Sequence, residues 1–135
     1  MSTGYSGTPL VKKLGVKDGS KVTFINPPEN YFSLLGELPL VERTDFVTGD
    51  ELDFVHVFSK TQEELFVILN EMKSKIKKTG MIWVSWPKKA SRVQTDLTED
   101  VIRAQALKID LVDIKVCAID EIWSGLKLVI PLNKR

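Results

Sequence analysis

The sequence predicts a three-layer α/β/α domain built on a mixed, mostly parallel sheet that ends in an antiparallel pair of strands. Three observations carry that prediction. Leu52-Asp-Phe-Val-His-Val-Phe58 and Met81-Ile-Trp-Val-Ser-Trp86 are apolar on both faces, the pattern of strands covered by helices on each side. Between them Thr61 and Glu64 form a capping box, followed by Leu65, Ile68, Leu69, Met72 and Ile76 at helical spacing as far as Gly80. Two further apolar runs, Asp113 to Ile119 and Leu126 to Leu132, close the chain around a turn expected at Ser124-Gly125.

The remaining elements follow in chain order. Thr8, Pro9 and Gly15 have the N-cap, N1 and C′ chemistry of a short helix over Pro9 to Leu14. Asp18-Gly19-Ser20 turns the chain into a strand at Lys21 to Ile25. Tyr31 to Leu38 predicts a brief helix limited by Gly36 and Pro39, and Thr44 to Thr48 a short edge strand. Glu71, Lys75 and Lys78 read as solvated charges on the outer face of the helix after Thr61. Pro87 stops the strand before it, and Asp96 with Glu99 predicts the cap of a helix running to about Ile109, with Val101, Ile102, Ala106 and Ile109 turned inward.

A chain of 135 residues is expected to fold as one domain over 1–135 without a covalent staple. With 19 Lys+Arg against 18 Asp+Glu, no global field favours nucleic acid or anionic lipid, so neither is expected as a partner. The single Cys117 excludes an intramolecular disulfide and, with one histidine, a Cys/His zinc site. The first residues lack an apolar signal segment and no run approaches the ~18 apolar residues of a membrane span, so a cytoplasmic protein is expected.

Candidate binding residues gather after the strands. Lys88 and Lys89 follow a central strand, where open α/β sheets bind ligands, and Ser91, Thr95 and Thr98 lie nearby at the start of the next helix, a combination suited to a phosphate or carboxylate. The alternative is that these lysines pair with Asp96, Glu99 and Asp100. Asp120 and Trp123 crowd one turn, where a ligand contact competes with an indole folded back on the sheet. His56 shares a strand face with Phe54 and Phe58 and reads as a buried structural histidine; Cys117 reads as an inert core thiol. Ser85 and Lys88 are a conceivable nucleophile and base without specified geometry.

The order of elements over Gly15 to Leu132 resembles a shortened class I methyltransferase, a Rossmann-like fold, and Gly15-Val-Lys-Asp-Gly-Ser-Lys-Val22 reads like the approach to its first strand. That resemblance implies a glycine-rich loop after the strand, whose amides approach the cofactor. Here Asn26 is followed by Pro27 and Pro28, which have no N–H to offer. Residues 28–52 leave room for about one strand, so the second and third strands are largely missing and the ribose-binding acid has no evident position. Asn26-Pro-Pro28 also resembles the Asn-Pro-Pro-aromatic motif of amino-group methyltransferases, with Glu29 at the aromatic position; a rigid turn is the alternative.

The blocks Gly4-Tyr-Ser-Gly-Thr-Pro-Leu10, Trp86-Pro-Lys-Lys-Ala-Ser91, Thr95-Asp-Leu-Thr-Glu-Asp-Val-Ile-Arg103 and Trp123-Ser-Gly-Leu-Lys-Leu128 are similar to a family of small bacterial proteins. That resemblance implies a single-domain bacterial protein and supplies no catalytic residue. The expectation is a non-enzymatic module that binds a small anionic ligand or a protein partner at the carboxyl edge of the sheet, without cofactor or metal. The alternatives are a methyltransferase-like enzyme using Asn26, Lys88 and Asp120, and a homodimeric subunit paired through a sheet edge.

Overall fold

The computed structural model describes residues 9–45 and 47–135. Six strands, β1 Lys21–Ile25, β2 Glu42–Arg43, β3 Leu52–Phe58, β4 Ile76–Pro87, β5 Val112–Ala118 and β6 Trp123–Val129, form one sheet in the order β2-β1-β3-β4-β6-β5. The first four run parallel, and β6 then pairs antiparallel with both β4 and β5. Four helices cover it: α1 Leu10–Leu14, α2 Tyr31–Leu35, α3 Gln62–Lys73 and α4 Glu99–Lys108. The architecture is the expected α/β one, a mixed, mostly parallel sheet that ends in an antiparallel pair.

Strand alternation divides the core into two layers. Val55, Val57, Ile82, Val84 and Trp86 pack with Leu65, Leu69, Met72, Ile102 and Ala106 under α3 and α4. Phe54, Phe58 and Trp83 pack with Val11, Leu14, Tyr31 and Leu35 under α1 and α2. Trp83 therefore lies beneath the N-terminal helix rather than the capped one, its Nε1–H donating to the Leu14 carbonyl at 2.8 Å. Gly15 ends α1 at φ 90°, the left-handed conformation that releases the chain toward β1.

Several boundaries differ from the sequence reading, some for local and some for long-range reasons. Thr8 lies outside the described residues, and Pro9 occupies the N-cap position of α1. Helix α2 stops at Leu35 because Gly36 turns to φ 84°. The edge strand is Glu42–Arg43, not Thr44 to Thr48, because the Asp45 carboxylate accepts the Val47 and Thr48 amides and folds that segment into a turn. Helix α3 ends at Lys73 instead of reaching Gly80. Ile76 pairs with Leu52, and five residues of β4 then pass while β3 advances two. Gly80 permits this bulge, since a Cβ there would stand 2.6 Å from the Leu52 carbonyl oxygen. Lys75 still pairs with Glu71, but Lys78 belongs to β4.

Helix α4 is capped by Thr98, whose Oγ1 accepts from the Val101 amide, and Ile102 and Ala106 are its buried residues. Asp96, read as its cap, serves α3 instead, accepting the Gln62 amide at 2.8 Å. The final turn lies at 119–122, where Asp120 Oδ1 accepts the Ile122 and Trp123 amides, each at 2.8 Å. Gly125 sits inside β6, and a Cβ there would meet Ser85 Oγ, Trp83 Cε3 and Ile119 Cδ1, each at 3.2 Å.

The central place of β4 sets a stability prediction. Trp83 is fully buried, so Trp83→Ala should cost about 3–5 kcal/mol in urea unfolding. A loss below about 1 kcal/mol would mean that the α1 layer contributes little to the core.

Candidate functional site at the carboxyl edge of the sheet

The parallel strands end along one edge, which gathers the segments following β1, β3 and β4. The antiparallel hairpin returns its 119–122 turn to the same edge, because Trp123 pairs with Pro87 and the Lys88 amide donates to the Ile122 carbonyl at 2.8 Å. Lys88, Asp120 and Trp123 thus come together, with the Trp123 ring 5.1 Å from that of Phe58. Trp123 is buried, and the Asp120 carboxylate is engaged by its own turn.

The hydroxyls named with the lysines turn onto backbone. Ser91 Oγ donates to the Lys88 carbonyl at 2.7 Å, Thr95 Oγ1 to the Lys60 carbonyl at 2.6 Å, and Thr98 caps α4. Lys89 is exposed on a single 3-10 turn, Lys89–Ser91. Asn26 adopts φ 55° and its side-chain amide donates to the Phe58 carbonyl at 3.3 Å, joining the ends of β1 and β3.

Beside Asn26 opens a cleft of about 720 Å³, lined by Phe24, Ile25, Thr61, Glu63, Glu64, Val67 and Ile68 as well as Asn26. Its volume falls in the range of small-molecule sites. The polar lining is acidic and amide in character, and no lysine or arginine is among these residues. Sequence reading singled out Asn26 but missed Glu63, Val67 and Ile68, which only the docking of α3 brings to β1. The Glu64 amide receives the Thr61 cap, while its Oε1 accepts from Ser59 Oγ at 3.0 Å.

Behind this edge His56 is fully buried between two hydroxyls, with Nδ1 2.7 Å from Tyr31 Oη and Nε2 2.7 Å from Ser85 Oγ. A neutral ring accepts from one and donates to the other, so the chain is satisfied without charge. Desolvation pushes the histidine down to about 3 and the Tyr31 phenol well above its usual range. Ser85 is therefore committed to His56 rather than to Lys88. Cys117 is a free, buried thiol raised by desolvation.

No protein-family model matches the sequence, and no match is found among curated proteins. The fold, by contrast, is similar to solved methyltransferases. A SAM-dependent methyltransferase from Aquifex aeolicus superposes with TM-score 0.65 at 15% identity, over 90% of this chain and 88% of that one. Magnesium protoporphyrin IX methyltransferase from Synechocystis PCC 6803 with bound SAM gives 0.60 at 12% identity, over 90% and 76%. Fibrillarin from Aeropyrum pernix, in complex with natively bound S-adenosyl-L-methionine, gives 0.59 at 11%, over 86% and 69%. At such identities the likeness is one of fold.

S-adenosylmethionine is the group this fold implies, and its amino-acid end does not fit the residues after β1. Pro27 and Pro28 bring no amide donors, the Tyr31 amide is used by the Pro28 carbonyl, and the Asn26 amide group by Phe58. No cation lines the cleft to meet a carboxylate.

The buried histidine makes a pH prediction. Its folded pKa of about 3 lies below the ordinary 6.5, so between those values the unfolded chain takes up a proton that the folded chain refuses. Stability from this group is complete above pH 6.5 and falls by about 1.4 kcal/mol per pH unit as pH drops through the window. As the chain holds one histidine, its ring signals in NMR should stay constant from neutral pH to about pH 4.5. A titration midpoint near 6.5 would show that the ring is accessible to water.

Proposed function

We propose that the chain works as a methyltransferase-like domain whose ligand occupies the cleft between β1 and α3, and that it holds the nucleoside part of such a ligand rather than an amino-acid part. The observation that carries this reading is the cleft itself, which lies at the carboxyl edge where open α/β sheets take ligands. The likeness to methyltransferases, several described with SAM bound, supports it over an unrelated binding module. Glu63 and Asn26 offer hydrogen-bond partners to ribose hydroxyls, and Ile25, Val67 and Ile68 offer apolar surface to a base. With two prolines in the loop after β1 and no cation in the cleft lining, these residues support binding and no transfer step.

Calorimetry with 5′-methylthioadenosine, S-adenosylhomocysteine and S-adenosylmethionine tests the reading. The three should bind within about tenfold of one another, and Glu63→Gln should weaken all of them. Binding of either amino-acid-bearing compound about a hundredfold tighter than methylthioadenosine would overturn the nucleoside assignment, and absence of heat with all three would overturn the cleft.

A second reading, an anionic ligand or acidic partner at Lys88 and Lys89, is supported by their place at the end of β4, with neither lysine in an ion pair among the described residues. Replacing both lysines by alanine should leave urea unfolding unchanged and abolish binding of an acidic peptide at low salt. Retained peptide binding would remove this reading.

A further inference from the structure

One row of residues crosses the sheet in register on the α1 side: Phe24, His56, Trp83, Lys127 and Lys115. Its first three members lie under the helices α1 and α2 or at their margin, and its last two carry like charges on directly paired positions of β6 and β5. Like charges directly opposite across an antiparallel pair are destabilising. Opposite charge would be the stabilising choice, yet among the described residues no ion pair involves Lys17, Lys115 or Lys127.

The lysines are also drawn together. Lys115 Nζ donates to the Lys13 carbonyl at 3.3 Å, which ties the hairpin to the end of α1, and Lys17 follows two residues beyond the Gly15 cap. Lys127 is half-buried, and burial, then Lys115 and Lys17, hold its ammonium below the usual lysine range. Cys117, on the same face of β5, offers no compensating charge because desolvation outweighs the neighbouring Lys13 and Lys115 and keeps the thiol neutral.

We infer that this face of the β5–β6 hairpin is a binding site for a compact, multiply charged phosphate-class anion, held by Lys17, Lys115 and Lys127. Lysine meets phosphate as a point charge, and the paired Lys115 and Lys127, with Lys17 within electrostatic reach of Lys127, match an anion of two or more charges better than a single carboxylate. The site is separate from the carboxyl edge and stands or falls independently of the cleft and of Lys88.

Inorganic pyrophosphate is the probe, with ionic strength held constant by NaCl so that general screening is equal in all samples. Pyrophosphate should raise the melting temperature of the wild type saturably. Lys115→Gln/Lys127→Gln should melt higher than wild type at low salt without ligand, since the opposed charges are gone, and should bind pyrophosphate about tenfold or more weakly. Lys17→Gln, outside the strands, gives the same reading on binding should the double variant fail to fold. A wild-type response no larger than that to NaCl, or an equal response in the variants, would overturn the site. Tighter binding to a short DNA duplex than to pyrophosphate would overturn the compact-ligand assignment.

Discussion

The hydrogen-bonded chain Tyr31–His56–Ser85 is the constraint on which the edge geometry depends. A fully buried histidine in the middle of a strand is tolerable only when neutral and bonded at both nitrogens, since an unsatisfied buried polar group costs about 1–3 kcal/mol. Ser85 supplies one partner from the adjacent strand. The other comes from α2, so that five-residue helix is held against the sheet by its first residue, with Phe58 and Phe24 rings 5.1 and 5.5 Å from the Tyr31 ring. Once Tyr31 is fixed, the chain from Ile25 has only five residues, two of them proline, in which to turn into α2. The loop after β1 is consequently short, with two of its five positions lacking an amide N–H and the Tyr31 amide bonded back to the Pro28 carbonyl.

The strands were legible because their information is local. Lys21–Ile25 and Leu52–Phe58 have the boundaries expected from β-branched and aromatic runs between turn residues. Several of the misassigned features depend on partners far away in sequence, whereas the edge strand was lost to the local Asp45 turn. Asp96 precedes a helix, which made it look like that helix's cap, yet its carboxylate serves the Gln62 amide 34 residues earlier. Gly125 looked like a turn residue, and its role is to let Trp83, Ser85 and Ile119 close around the backbone. Ile76 satisfies a helical period and a strand position equally well, and it is buried in the same core as α3. The candidate site was legible where it follows strand ends, as for Asn26 and Lys88. The α3 wall of the cleft was not, because Glu63, Val67 and Ile68 look like ordinary outward or core-facing positions until α3 is docked on β1.

Fold and site chemistry separate in this chain. The likeness to methyltransferases is carried by strand order and layer packing, which the apolar pattern determines. Recognition in that fold is carried by amide donors in a single loop. Asn26-Pro-Pro28 at this position takes two amide donors out of the loop. The acidic cleft beside it is therefore expected to select by hydroxyl and shape complementarity rather than by anion binding.

Positive charge has instead been placed at the far side of the sheet, and its position bears on the exposed β5 edge. A bulge between Asp113 and Lys115 interrupts the register of β5 with β6, and Asp113 is taken by Arg103, which also holds Glu99 and Asp100. A bulge and an edge lysine both hinder addition of another strand. If two copies paired antiparallel about Lys115, the two lysines would stand opposite each other, adding to the repulsion already present with Lys127. Pairing about Ile114 would match Lys115 with Asp113, but would compete with the Arg103 contact. The same lysines that invite a small anion thus discourage a second copy at this edge, so dimerisation through β5 and ligand binding at Lys115 and Lys127 are opposing uses of one surface.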